Sequence, residues 1–186
     1  MLKEADFTFG KDQDPTVADL ILKYINLLPQ VTNNYVVGTL ELYDGPIFSH
    51  KKTVGAVAAL AAITEKEVKV DIQDSLGLQS NTGDVQLKVT LRATKLNNYS
   101  YVLMYSKNGI AEYPVTVVLD DSISQELNKE IYSKQYGYIY HFDDSVAFDC
   151  FLDSVFSSKR LISVIQEIIT GSEIHGVDKE SESDSE

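Results

Sequence analysis

Residues 85–119 read VQLKVTLRATKLNNYSYVLMYSKNGIAEYPVTVVL, and this stretch decides the fold. Val85, Leu87, Val89 and Leu91 alternate with Gln86, Lys88, Thr90 and Arg92, the period of two that a strand with one buried face requires. Asn97-Asn98 turns the chain into a second strand over 101–105. Lys107-Asn108-Gly109 supplies the Asn-Gly pair favoured in tight hairpins. Residues 111–119 read as a third strand, with Pro114 pointing to an edge or irregular position because proline cannot donate to a ladder. Three strands in succession, joined by short turns, predict an antiparallel meander. The same alternation sets Tyr101, Leu103 and Tyr105 on one face of it.

Before the meander, Val17, Leu20, Ile21, Tyr24, Ile25 and Leu28 form one apolar helical stripe. Asp14 is the expected cap, Pro15 the first helical residue, and Pro29 closes the helix. Residues 35–43 (YVVGTLELY) predict a strand, Asp44-Gly45-Pro46 a turn, and Ile47-Phe48 the start of a short strand. Thr53 can cap a helix over 54–67, where Ala56, Ala58, Ala59, Ala61 and Ala62 leave little bulk. Residues 68–72 alternate as another strand. After the meander, Asp120-Asp121-Ser122 can cap a helix over 123–135, with Ile123, Leu127 and Ile131 on its buried side. Gly137 breaks it, and 138–142 read as a short strand. Asp143-Asp144-Ser145 then opens one long helix over 146–169, ended by Gly171.

These elements predict an α+β fold: an antiparallel sheet of about five or six strands with a central meander and helices packed on its faces. The expected organisation is a flexible N-terminus (1–13), a single domain (14–171) and a disordered acidic tail (172–186), where apolar content collapses. The order helix, strand, short strand, helix, meander, helix over residues 15–135 is similar to roadblock and longin-like scaffold domains. That resemblance implies a dimerising, non-enzymatic subunit. It rests on element order, and no motif residues carry over.

The 186 residues carry a net charge of −12 and only two arginines, Arg92 and Arg160. Phosphate backbones and anionic membrane surfaces demand clustered Lys and Arg, so direct nucleic-acid binding is not expected. No apolar run reaches the roughly 18 residues that span a bilayer. Residues 1–6 lack the basic-then-apolar order of a secretory signal, and the single Cys150 offers no internal disulfide. A cytoplasmic location is expected, with the nucleus as the other reducing compartment.

His50, His141 and His175 have no metal spacing with one another or with Cys150. His141 and Cys150 would make a nucleophilic pair if the turn at Asp143-Asp144 brought them together. The bland reading, an inert and largely buried thiol among Phe148, Phe151 and Leu152, fits the pattern better. The acidic pairs Asp120-Asp121 and Asp143-Asp144 suit helix starts, and Asp149 with Asp153 reads as a solvated face. No phosphate-cradling glycine loop and no nucleophile elbow occurs. Neither a cofactor nor a metal site is expected.

Eleven tyrosines and no tryptophan fit both strands and interfaces. The expectation is therefore a non-enzymatic interaction subunit or adaptor of a larger assembly, homo- or hetero-oligomeric. Its candidate contact residues are Val54, Val57, Leu60, Tyr101, Tyr105, Phe151, Val155, Ile162 and Ile165. One alternative is an acidic inhibitor or immunity-type protein that neutralises a basic protein partner. Another is an enzyme with an unrecognised pocket. Ser181 and Ser183 each precede an acid by three residues, the pattern of an acid-directed kinase site.

Overall fold

The computed structural model describes residues 14–49, 70–71, 83–96, 99–127 and 138–180. The alternation predicted for the meander is realised in β4 (Val85–Ala93), whose Leu87, Val89 and Leu91 are buried. β5 (Ser100–Asn108) and β6 (Val115–Leu119) follow it antiparallel. β1 (Val36–Leu42) returns beside β4, and β7 (Ile139–Phe142) closes the other side. The result is a five-stranded antiparallel sheet of order β1-β4-β5-β6-β7. β2 (Phe48–Ser49) and β3 (Val70–Asp71) form a separate two-stranded pair. The α+β class and the central meander stand as predicted.

Three details of the meander differ from the sequence pattern. First, β5 runs on through Asn108, and residues 109–114 make a wider connection in place of an Asn-Gly hairpin. The Asn108 amide folds back to donate to the Gly109 carbonyl at 3.1 Å, which fastens the start of that connection. Second, β6 is not an edge: it lies between β5 and β7 with all five residues buried. Pro114 sits in the connection, after a cis Tyr113–Pro114 peptide, where no ladder donor is needed. Third, Val89 pairs with Met104 but Thr90 pairs with Val102, so Leu103 is an extra residue in β5. This bulge turns both Leu103 and Met104 into the main core. Tyr101 and Tyr105 therefore face opposite sides, Tyr101 against the main core and Tyr105 against a second cluster with Ile47, Val118 and Ile139. The shared face predicted for them is lost because one inserted residue inverts the alternation.

The described helices cover one face of the sheet. α1 (Val17–Ile25) buries Val17, Leu20, Ile21 and Ile25. Its cap is Thr16 rather than Asp14, because Thr16 and Asp19 bond reciprocally to each other's backbone in a capping box. α1 can lie directly on β1 because residue 38 is glycine: a Cβ there would stand 2.5 Å from Ile25 Cβ. Pro29 does not end an element but lies in the first turn of the short α2 (Leu28–Val31). Asn33 and Asn34, at φ 48° and 62°, then reverse the chain into β1, a conformation asparagine tolerates better than most residues.

α3 (Asp121–Leu127) is capped by Asp120, whose carboxylate accepts from the N–H groups of Ser122 and Ile123. The single helix predicted over 146–169 is two: α4 (Ser145–Phe156) and α5 (Lys159–Glu180). Ser157 and Ser158 separate them. Ser158 Oγ accepts from Leu161 N, and the Glu126 carboxylate of α3 accepts from Lys159 N at 2.8 Å and Arg160 N at 2.6 Å. A free set of N–H groups satisfied from outside the helix makes the break stable. At the far end α5 does not stop at Gly171. The Leu96 side chain approaches within 3.3 Å of where a Cβ would be, so this glycine admits a neighbour rather than terminating a helix. Ser172 is buried and bonds back to Ile168 O, inside the helix rather than at the start of a tail. The helix predicted over 54–67, Ile131 and the end of the chain from 181 lie outside the described residues.

The Gly38–Ile25 contact predicts the effect of one methyl group. Gly38→Ala should cost about 1–3 kcal/mol, the usual range for overpacking, read as a lower urea midpoint with an unchanged slope.

Candidate functional site

The catalytic pairing considered for His141 and Cys150 does not form. On β7, Tyr140 and Phe142 point to the helices and pack, rings tilted, against Phe151 and Phe148 of α4. His141, between them, points to the opposite face, where its Nδ1 lies 3.0 Å from Thr116 Oγ1. Cys150 is on α4 and is exposed, which corrects the expected buried thiol. Phe148, Phe151 and Leu152 fill the inward positions of that helix, and Cys150 falls on the outward side. His50 lies outside the described residues, and His175 falls in α5. Among the described residues no group of three or more His, Cys, Asp or Glu is placed to hold a metal ion.

The carboxylates have structural partners. Asp144 caps α4 by accepting from Ala147 N at 2.8 Å, as Asp120 caps α3. Asp149, expected on a solvated face, instead ties α4 to α1: it takes both oxygens to Lys23 Nζ at 2.9 Å and accepts from the Tyr24 hydroxyl at 3.0 Å. The Lys23 bond holds the Asp149 carboxyl below its ordinary value, with burial opposing and Tyr24 assisting.

Of the candidate contact residues, Phe151 and Val155 are core residues and cannot meet a partner. Their apolar stripe is satisfied by the sheet. Tyr101 is partly buried, and its hydroxyl is pushed up chiefly by burial and then by the Asp120 carboxylate. Tyr105 is packed beside Tyr43, ring centroids 5.0 Å apart. Ile165 is half-buried against the core, whereas Ile162 is exposed. Val54, Val57, Leu60, Ser181 and Ser183 lie outside the described residues.

Among the described residues, β1 forms an unpaired sheet edge. Tyr43 N donates to Gln86 O at 2.9 Å and Thr94 N to Tyr35 O at 3.0 Å. With the β1–β4 register, these bonds turn the odd-numbered residues of β1 toward β4. The N–H and C=O groups of Val36, Gly38, Leu40 and Leu42 therefore point away from the sheet. Val36 is closed by the Thr32 hydroxyl, which bonds both its N–H and its carbonyl at 3.2 Å. Gly38, Leu40 and Leu42 have no such partner among the described residues. Leu42 is 80% exposed, and Leu27 and Val31, at the corner leading into β1, are exposed as well. No proline or bulge interrupts this edge, though such devices commonly protect one. The sequence pattern contains the strand but carries no signal for which of its sides is paired.

A second feature is acidic. Glu112, held at φ 65°, accepts from the first N–H of α1 at 3.0 Å. Beside it the Tyr113 hydroxyl is pushed up to about 12, first by burial and then by Glu112, Asp14, Asp144 and Asp149. Of the carboxylates that act on this hydroxyl, Glu112 and Asp144 accept from the first turns of α1 and α4, and Asp149 is paired with Lys23.

Comparison of the chain with protein families, with curated proteins and with solved structures finds no match.

Two measurements check this geometry. Asp149→Asn should lower the unfolding midpoint at neutral pH. Because the folded carboxyl titrates below the unfolded one, that stabilisation is lost as pH falls through the folded value, so mutant and wild type should converge in acid. Cys150 should react with one equivalent of a thiol reagent in the native protein, with no further labelling on adding denaturant.

Proposed function

We propose that this chain is a non-enzymatic interaction subunit whose partner adds a strand to the open edge of β1. The observation that carries this reading is the row of outward N–H and C=O groups on Gly38, Leu40 and Leu42, next to an 80% exposed Leu42. Main-chain groups left unpaired at an edge are a template for strand addition, with alternate side chains giving selectivity. Leu27 and Val31 extend the apolar surface beside that edge.

The net charge of −12 favours a second reading, an acidic surface that neutralises a basic protein. The two readings separate by salt. Added salt shortens the Debye length, roughly 8 Å at physiological ionic strength, and weakens contacts between exposed charges, whereas strand addition with leucine burial is little affected.

The test is purification of the tagged chain from its native host, with light scattering on the purified species. Wild type should exceed the mass of one chain. Leu42→Asp should weaken the association at least tenfold, about 1.4 kcal/mol. A lone monomer, or an assembly untouched by Leu42→Asp, would remove the strand-addition reading.

A further inference from the structure

We infer that the strand added to β1 is β1 of a second copy of this chain, antiparallel, about a two-fold axis at Leu40. The inference rests on the reading of this edge as the contact surface and names its occupant. The register follows from what is free. Thr32 already occupies Val36, and past Tyr43, whose N–H makes the last main-chain bond to β4, the chain leaves the strand at Asp44-Gly45. Among the described residues of this edge, only Gly38, Leu40 and Leu42 remain outward. An axis at Leu40 pairs Leu40 with the partner's Leu40 and Gly38 with the partner's Leu42, so that every outward N–H of both copies meets a carbonyl. An axis at Gly38 would oppose Leu40 to the occupied Val36 and leave Leu42 unmatched.

The side chains agree with this register. On the helix side the two Leu40 residues meet, and each Leu42 lies over the partner's Gly38, beside the α1–α2 corner whose Ile25 and Leu28 contact that glycine. On the other side Thr39 stands opposite the partner's Glu41. Glu41 is the only charged residue of β1, and its own Arg92 holds it at 2.7 Å while Lys88 is its register neighbour on β4. Across the seam the charged columns run basic, acidic, acidic, basic. The two acids are offset along the strands, so like charges are not directly opposed. In a chain of net charge −12, this is a patch where the basic residues, Lys88 and Arg92, outnumber the acid. Charge therefore admits a second copy here.

The test uses the full chain in sedimentation equilibrium over a wide concentration range, with mixed-isotope NMR. Wild type should approach twice the chain mass. A mixed sample should show an intermolecular contact between Thr39 Hα and the partner's Glu41 Hα, which face each other only in this register. Leu42→Asp should keep the wild-type circular dichroism, since its side chain is exposed, and should shift dimer formation to at least tenfold higher concentration. Leu40→Pro removes the central outward donor and should abolish the dimer. If that variant unfolds, Leu42→Asp alone decides. A monomer at all concentrations overturns the proposal, as does a dimer that lacks the Thr39–Glu41 contact and ignores Leu42→Asp. A monomer that binds a different protein through an edge sensitive to Leu42→Asp overturns this inference and leaves the interaction reading standing.

Discussion

The close approach of Ile25 to Gly38 is the constraint on which the rest of the structure depends. It fixes α1 on the outermost strand, and α1 in turn receives α4 through Tyr24, stacked on Phe156 with ring centroids 5.2 Å apart. α4 then presses Phe148 and Phe151 onto Tyr140 and Phe142 of β7, the opposite edge. Two packed helices thus bridge a sheet from one border to the other. Each fully buried aliphatic or aromatic side chain contributes roughly 1.5–3 kcal/mol, so this apolar bridge outweighs the exposed Lys23–Asp149 pair, which aligns the helices more than it holds them.

Much of the acidity has a local cause. Asp120, Asp144, Glu112 and Glu126 each accept from backbone N–H groups at the start of a helix. Helix N-termini favour negative charge, and in this chain that preference is met from nearby residues for α3 and α4, from nearby Asp19 and distant Glu112 for α1, and from distant Glu126 for α5. The charge is therefore partly an architectural property.

The class of fold, the meander and the strand at β7 were legible because alternation and helical spacing are properties of neighbouring residues. What escaped was non-local. Nothing in SYVLMYSKN marks Leu103 as a bulge, since its consequence appears only when β4 pairs with β5. The α4–α5 break shows as two serines, which are common in continuous helices; Glu126, far away in sequence, makes the break decisive. Asp149 looked solvated because Lys23 and Tyr24 lie on another element. Phe151 and Val155 looked available because a helix sequence does not say which sheet covers it. The β1 edge was illegible for a related reason: a strand's pattern reports its faces and is silent about its borders.

The capping of α5 by Glu126 has a consequence for how the molecule comes apart. The first turn of α5 lacks two of its hydrogen-bond acceptors unless α3 is in place, although the helices are separated by the whole of β7 and α4. Fraying of α3 therefore exposes the amides of Lys159 and Arg160 as well as its own, and the two segments open as one cooperative unit despite their distance along the chain.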